Sequence, residues 1–121
     1  MLARKGLILG ICNGFQALIK SGLLPYGKFG CLKEDSPTLI KNDINRHISQ
    51  MVSTKLTTTA SPWLTSFNCG DIFEIAVSHG EGKFVCSEEM VKTLIENGQI
   101  AFQYVDLEGN ATCDSPYNPN G

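Results

Sequence analysis

Gly10-Ile11-Cys12-Asn13-Gly14 stands between an apolar run, Leu7-Ile8-Leu9, and a stretch from Phe15 with helical spacing. A Gly-x-nucleophile-x-Gly pattern between strand and helix marks a nucleophile elbow, here with cysteine in the serine's place. Such a turn holds its nucleophile in a strained conformation, and the two glycines leave room where side chains would not fit. Cys12 is therefore the candidate catalytic nucleophile. At a helix N-terminus the free N–H groups and the dipole favour a negatively charged sulfur. The same N–H groups, that of Asn13 first, are placed to donate to an oxyanion. Gln16 lies one helical turn further on, and its side chain leans back towards the helix N-terminus. Its amide can donate to and accept from a polar substrate beside the sulfur. A solvent-facing helix glutamine is the plainer alternative.

Two other origins for the pattern are weaker. Asn13-Gly14 is a strong hairpin signal, but Phe15, Leu18, Ile19 and Leu23 follow at a period near 3.6 rather than 2. Met1-Leu2-Ala3-Arg4-Lys5 opens like a secretory signal, yet the apolar stretch is broken by Asn13, Gly14 and Gln16 and lacks a small-x-small cleavage site.

The elements that must hold these residues can be read along the chain. Gly6 to Ile11 reads as a buried strand and Asn13 to Leu24 as a helix ended by Pro25-Tyr26-Gly27. Residues 28–48 read as loop, with turn signals at Asp35-Ser36-Pro37 and Asn42-Asp43. Gln50 to Thr59 suits a strand, and Ser61-Pro62-Trp63-Leu64 a turn opening a short helix. Ile72 to Ser78 alternates, with Phe73, Ile75 and Val77 on one face. Ser87 caps a helix with Glu88 and Glu89 in its first turn, Val91, Leu94 and Ile95 on its apolar side, and Asn97-Gly98 at its end. Ile100 to Val105 is the next strand, and Asp106 to Gly121 is rich in turns. The expected sheet has four strands, parallel-leaning or mixed, with Cys12 at the carboxyl end of the first and Gln16 facing the same crevice.

Composition narrows the function classes. The chain has 121 residues, 42% hydrophobic and 18% charged, which suits at most one soluble domain. A net charge of −2 without a basic cluster gives no reason to expect nucleic acid or a membrane surface as a partner. No apolar run approaches the ~20 residues of a spanning helix. Five widely spaced cysteines (12, 31, 69, 86 and 113) with no Cys-x-x-Cys pair support neither a disulfide framework nor a metal site. A reducing cytoplasm follows as the expected compartment.

Leu9-Gly10-Ile11-Cys12-Asn13-Gly14-Phe15-Gln16 with Gly22-Leu23-Leu24-Pro25 resembles the class I (triad) glutamine amidotransferases. Within them it is most similar to the glutaminase domain of the phosphoribosylformylglycinamidine synthases of purine biosynthesis. Three further blocks fit in order: Ile75-Ala76-Val77-Ser78-His79-Gly80-Glu81-Gly82-Lys83-Phe84, Gln99-Ile100-Ala101-Phe102-Gln103-Tyr104-Val105-Asp106, and Asn118-Pro119-Asn120-Gly121. The first of these is similar to that family's Ala-His-Gly-Glu-Gly-Arg segment. The blocks span nearly the whole chain.

The resemblance implies an α/β fold, the flavodoxin-like three-layer α/β/α architecture of class I glutamine amidotransferases, with residues 1–121 a glutaminase domain truncated at both ends. It implies Cys12 as nucleophile, Asn13 as backbone oxyanion donor, and Gln16 and His79 at the glutamine site. For His79, a glutamine-pocket role, a loop-ordering role and a purely structural role all stay open. In that family the triad histidine and glutamate come from a Pro-His-Pro-Glu-like segment nearer the C-terminus, which these 121 residues do not contain. His79 is therefore not taken as the catalytic base. His47 reads as a surface or domain-contact residue, and Glu81 as facing either a partner domain or solvent. The implied chemistry is release of ammonia from glutamine for amidination of formylglycinamide ribonucleotide. ATP and Mg are used in the synthetase domain and no cofactor in this segment. The partners are the remaining domains of the synthase. A separate glutaminase subunit of the same pathway, another α/β cysteine hydrolase and a non-catalytic binding or scaffold domain are the alternatives, and the segment alone is expected to be inactive.

Overall fold

A computed structural model describes residues 2–121. Its contacts group into two compact units, one running through Thr38 and the other from Leu39 to Gly121.

The first unit is built around one helix. After a 3-10 turn at Leu2–Arg4, residues 6–11 form no strand. This corrects the expected buried strand. Leu9 and Ile11 are 68% and 73% exposed. The physical reason is that an apolar run becomes a strand only when neighbours take its N–H and C=O groups, and no such partner occurs among the described residues. Helix α1, Asn13–Lys20, starts at the expected place. It buries Ile19, with Phe15 and Leu18 partly covered on the same stripe. Asn13-Gly14 is thus helix, not hairpin.

The helix stops four residues before the expected Leu24. Gly22, at φ 82°, adopts the left-handed conformation that ends helices. A side chain there would also press within 2.9 Å of the Lys28 carbonyl. The Ser21 hydroxyl reinforces the stop by donating to the Leu18 carbonyl at 3.0 Å. The next element, α2 (Leu23–Tyr26), is a kinked turn in which Leu24 is extended, at φ −112° and ψ 134°.

The second unit carries the sheets. Strands β1 (Thr38–Ile40) and β4 (Lys83–Val85) pair with each other, and β2 (Ile48–Leu56) is the centre of a three-stranded sheet ordered β3-β2-β5. Here β3 is Ile72–His79 and β5 is Phe102–Tyr104. Both β2 pairings are antiparallel, with Val52 opposite Ile75 and Thr54 opposite both Phe73 and Tyr104. The strands near 50–59, 72–78 and 100–105 therefore exist, but the parallel-leaning sense does not. A parallel return needs a long crossover, usually a helix. Residues 57–71 instead form only the 3-10 turn Pro62–Leu64, capped by Ser61. The short strand β1 arises in a segment read as loop, and β4 in residues to which the sequence assigned no element.

Alternation along β2 buries Val52, Thr54 and Leu56 on one face, and Val105 and Leu94 are buried as well. Phe73 meets Phe67 and Phe102 edge to face, with ring centroids 5.1 and 6.1 Å away. Helix α3, Glu88–Glu96, has the expected cap: the Ser87 hydroxyl accepts from the Met90 N–H. Only Leu94 of its apolar side is buried, while Ile95 is 58% exposed.

Candidate active site

Cys12 precedes the first residue of α1 at φ 55° and ψ −120°. That combination lies outside even the left-handed helical well, so the residue is strained. Its thiol is exposed and caps no helix N–H through its side chain. The backbone explains how the turn is held. The Gly14 N–H donates to the Ile11 carbonyl at 2.9 Å, and the Phe15 and Gln16 N–H groups donate to the Cys12 carbonyl at 3.0 and 3.2 Å. The Asn13 N–H has no acceptor among the described residues. It is the free donor directly after the sulfur-bearing residue.

The two flanking glycines are not equivalent. A Cβ on Gly10 would lie 2.5 Å from Leu18 Cδ1 and 2.9 Å from the Gly14 backbone. A Cβ on Gly14 would meet nothing within 4 Å. The expectation that both glycines are needed for space is therefore corrected for this chain: close packing of the turn on α1 demands Gly10 alone. Gln16 is half-buried one turn along α1. Cys12, Asn13 and Gln16 thus belong to one unit, while His79 belongs to the other.

His79 ends β3 in a dense polar cluster. Asn42, 2% exposed, is its centre. Asn42 Nδ2 donates to the Arg46 and His79 carbonyls at 3.1 and 2.9 Å. Asn42 Oδ1 accepts from the Gly82 N–H at 3.2 Å and faces His79 Nδ1 at 3.1 Å. Because both amide protons are committed to carbonyls, Oδ1 is an acceptor and His79 Nδ1 must carry the proton. Nε2 is then the unprotonated nitrogen, buried and without a partner among the described residues. Burial holds the His79 pKa below its ordinary 6.5, opposed by a backbone hydrogen bond and aided by the charge of His47. His47 itself is exposed and shares a 2.9 Å hydrogen bond with Ser78 Oγ.

The C-terminal residues tie into the same cluster. Asn120 Nδ2 donates to the Gly82 carbonyl at 2.6 Å, and Tyr104 Oη donates to Asn120 Oδ1 at 3.2 Å. The Asp43 N–H donates to the Asn120 carbonyl at 3.2 Å. Burial pushes the Tyr104 phenol up. Three blocks far apart in sequence, Ser78–Gly82, Tyr104 and Asn118–Gly121, therefore meet around one turn. Asn42 is the residue that sequence reasoning missed. Asn42-Asp43 was legible only as a turn signal, because its partners lie 37 and 40 residues away.

The remaining cysteines are free thiols. Cys69 and Cys113 are exposed, whereas burial pushes the Cys86 thiol up.

The family model for the CobB/CobQ-like glutamine amidotransferase domain matches residues 1–121. The chain belongs to this family. The mixture of helices and small sheets is in keeping with the α/β class I glutamine amidotransferase-like domain. Among curated relatives, "Phosphoribosylformylglycinamidine synthase subunit PurQ" of Gloeobacter violaceus is 36% identical over 118 residues, covering 98% of this chain and 45% of the relative. The protein of the same name from Acaryochloris marina is 37% identical over 115 residues, covering 95% and 43%. That of Synechococcus sp. (strain JA-3-3Ab) is 34% identical over 113 residues, covering 93% and 45%. The chain thus spans less than half the length of these relatives.

Proposed function

We propose that this amidotransferase segment is part of the glutaminase of a phosphoribosylformylglycinamidine synthase. The observation that carries this is Cys12 at φ 55° and ψ −120° immediately before α1, in a chain of this family. The Cys12 thiolate attacks the side-chain carboxamide carbon of glutamine, and the Asn13 N–H donates to the oxyanion that forms. The C–N bond breaks, ammonia leaves with a proton, and a glutamyl thioester remains on the sulfur. Water then cleaves the thioester to release glutamate and restore the thiol.

Gln16 supplies amide contacts to the bound glutamine. The ammonia is consumed by a synthetase partner that uses ATP and Mg to convert formylglycinamide ribonucleotide to formylglycinamidine ribonucleotide. None of these residues is assigned to ATP or Mg. The relatives' names speak of a subunit, which favours a separate glutaminase chain over a fused domain. The 121 residues alone turn over no glutamine, since neither of their histidines, His47 or His79, stands in a Pro-His-Pro-Glu-like segment.

The test is Cys12→Ala in the complete protein with its synthetase. Glutamine-dependent product formation should be lost, while synthesis from added ammonia persists. Retained glutamine-dependent activity in Cys12→Ala overturns the proposal.

A further inference from the structure

We propose that the outer edge of β3 is a self-association surface, pairing antiparallel with β3 of a second copy of this chain. The two edges of the β3-β2-β5 sheet are built differently. Strand β5 has three residues, and its outer side is closed by the returning chain: Val105 bridges Ala111, and the Thr112 N–H donates to the Tyr104 carbonyl at 3.3 Å. Strand β3 runs for eight residues, Ile72–His79. Its register on β2 is continuous from the Ile48–His79 pair to the Lys55–Ile72 pair, so no bulge twists it away. It contains no proline, lysine or glycine. Edge strands are normally blunted by such devices, because a row of free N–H and C=O groups recruits another strand.

The free groups can be assigned residue by residue. The Val105 N–H donates to the Ser53 carbonyl, so the odd-numbered residues of β2 bond towards β5 and the even-numbered ones towards β3. The β3 residues opposite those even positions are Phe73, Ile75, Val77 and His79. Glu74, Ala76 and Ser78 therefore point their backbone groups away from the sheet, and none of those groups has a partner among the described residues. All three residues are exposed, which leaves the approach open.

Charge selects a second copy as the occupant. Centred on Ala76, an antiparallel pair sets Ala76 against Ala76 of the partner subunit and Glu74 against Ser78 of the partner subunit. The three pairs formed from residues 74, 76 and 78 supply about six backbone hydrogen bonds. Glu74 is the one carboxylate on β3, and a register that set it against itself would oppose like charges. The Ala76-centred register brings it instead to Ser78, whose Oγ lies 2.9 Å from Nε2 of the exposed His47. The two-fold axis makes this carboxylate–imidazole contact twice. On the other face, Ile75, 42% exposed, meets Val77 of the partner subunit, an apolar cross-strand pair.

In the complete protein, sedimentation velocity from micromolar to millimolar concentration should show a monomer–dimer equilibrium. Ala76→Pro removes a donor that faces away from β2 and leaves the β2–β3 bonds in place. It should raise the dimer dissociation constant about thirtyfold, because the two-fold deletes two hydrogen bonds. Glu74→Lys and His47→Glu should each raise it about fivefold, and the double variant should return it to within about twofold of the parent. Amide exchange at Glu74, Ala76 and Ser78 should slow as concentration rises. A protein that stays monomeric at millimolar concentration overturns the proposal, whether these amides exchange freely or are covered by another part of the same chain. So does a dimer that folded Ala76→Pro leaves unchanged. Should Ala76→Pro not fold, the charge swap decides: a dimer indifferent to the single changes, or not restored by the double variant, overturns it.

Discussion

The strain at Cys12 can be measured by removing it. A non-glycine residue at φ 55° and ψ −120° costs of order 1–3 kcal/mol relative to an unstrained backbone. Glycine pays little of that, but it loses more freedom on folding, roughly 0.4–1 kcal/mol relative to alanine. The difference leaves Cys12→Gly more stable than Cys12→Ala by about 0.5–2 kcal/mol. Alanine is the right reference because it keeps the strained backbone while removing the sulfur. Since the Cys12 side chain is exposed, its truncation should by itself change stability by no more than about 0.5 kcal/mol.

The probe must report on the first unit. Trp63, the one tryptophan, lies in the second, so its fluorescence is unsuitable. Amide hydrogen exchange along α1 reads local opening directly, and a gain of 1.4 kcal/mol slows exchange about tenfold. The expected result is slower exchange at Ala17–Lys20 in Cys12→Gly than in Cys12→Ala. Equal or faster exchange in the glycine variant would refute stored strain at the nucleophile.

The glycine pair should separate in the same assay. Gly10→Ala, with backbone atoms of Gly14 only 2.9 Å from the new Cβ, should destabilise by about 1–3 kcal/mol, whereas Gly14→Ala, in open space within a helix, should gain about 0.5–1 kcal/mol; the opposite order would refute the packing account. His79 gives a pH dependence whose sign follows from its lowered pKa. The unfolded chain takes up a proton near pH 6.5 while the fold still resists it, so stability is full above pH 6.5. It falls as pH drops from there to the folded pKa, below which it is flat. Urea unfolding of the second unit should show this decline, and it should vanish in His79→Gln.

How much of this was legible in the sequence depended on the range of the interactions. The start of α1, the Ser87 cap and the Asn97-Gly98 stop were legible because each is settled within about four residues. Gly22 carried the same local signal, but the apolar spacing of Leu23 and Leu24 outweighed it and placed the helix end too late. Residues 6–11 failed for a different reason. Leu7-Ile8-Leu9 has the composition of a buried strand, but a strand is a relation between segments, and composition cannot supply the partner. The antiparallel sense of β2 and β3 likewise depends on what residues 57–71 do, not on either strand's own pattern.

The candidate residues divide along the same line. Cys12, Asn13 and Gln16 sit within five consecutive positions, so one turn of one helix arranges them, and their spacing alone conveyed the geometry. The His79 cluster joins residues 42, 46, 79, 82, 104 and 120. No periodicity announces such a cluster, because each residue is used for what its side chain can donate or accept rather than for where it falls on an element. Asparagine is suited to the centre: it alone among small side chains offers two donors and an acceptor oxygen without charge. An aspartate there would repel two carbonyls, and a leucine would strand four polar groups. The apolar pattern located the nucleophile; only hydrogen-bond accounting locates the residue that shapes the turn.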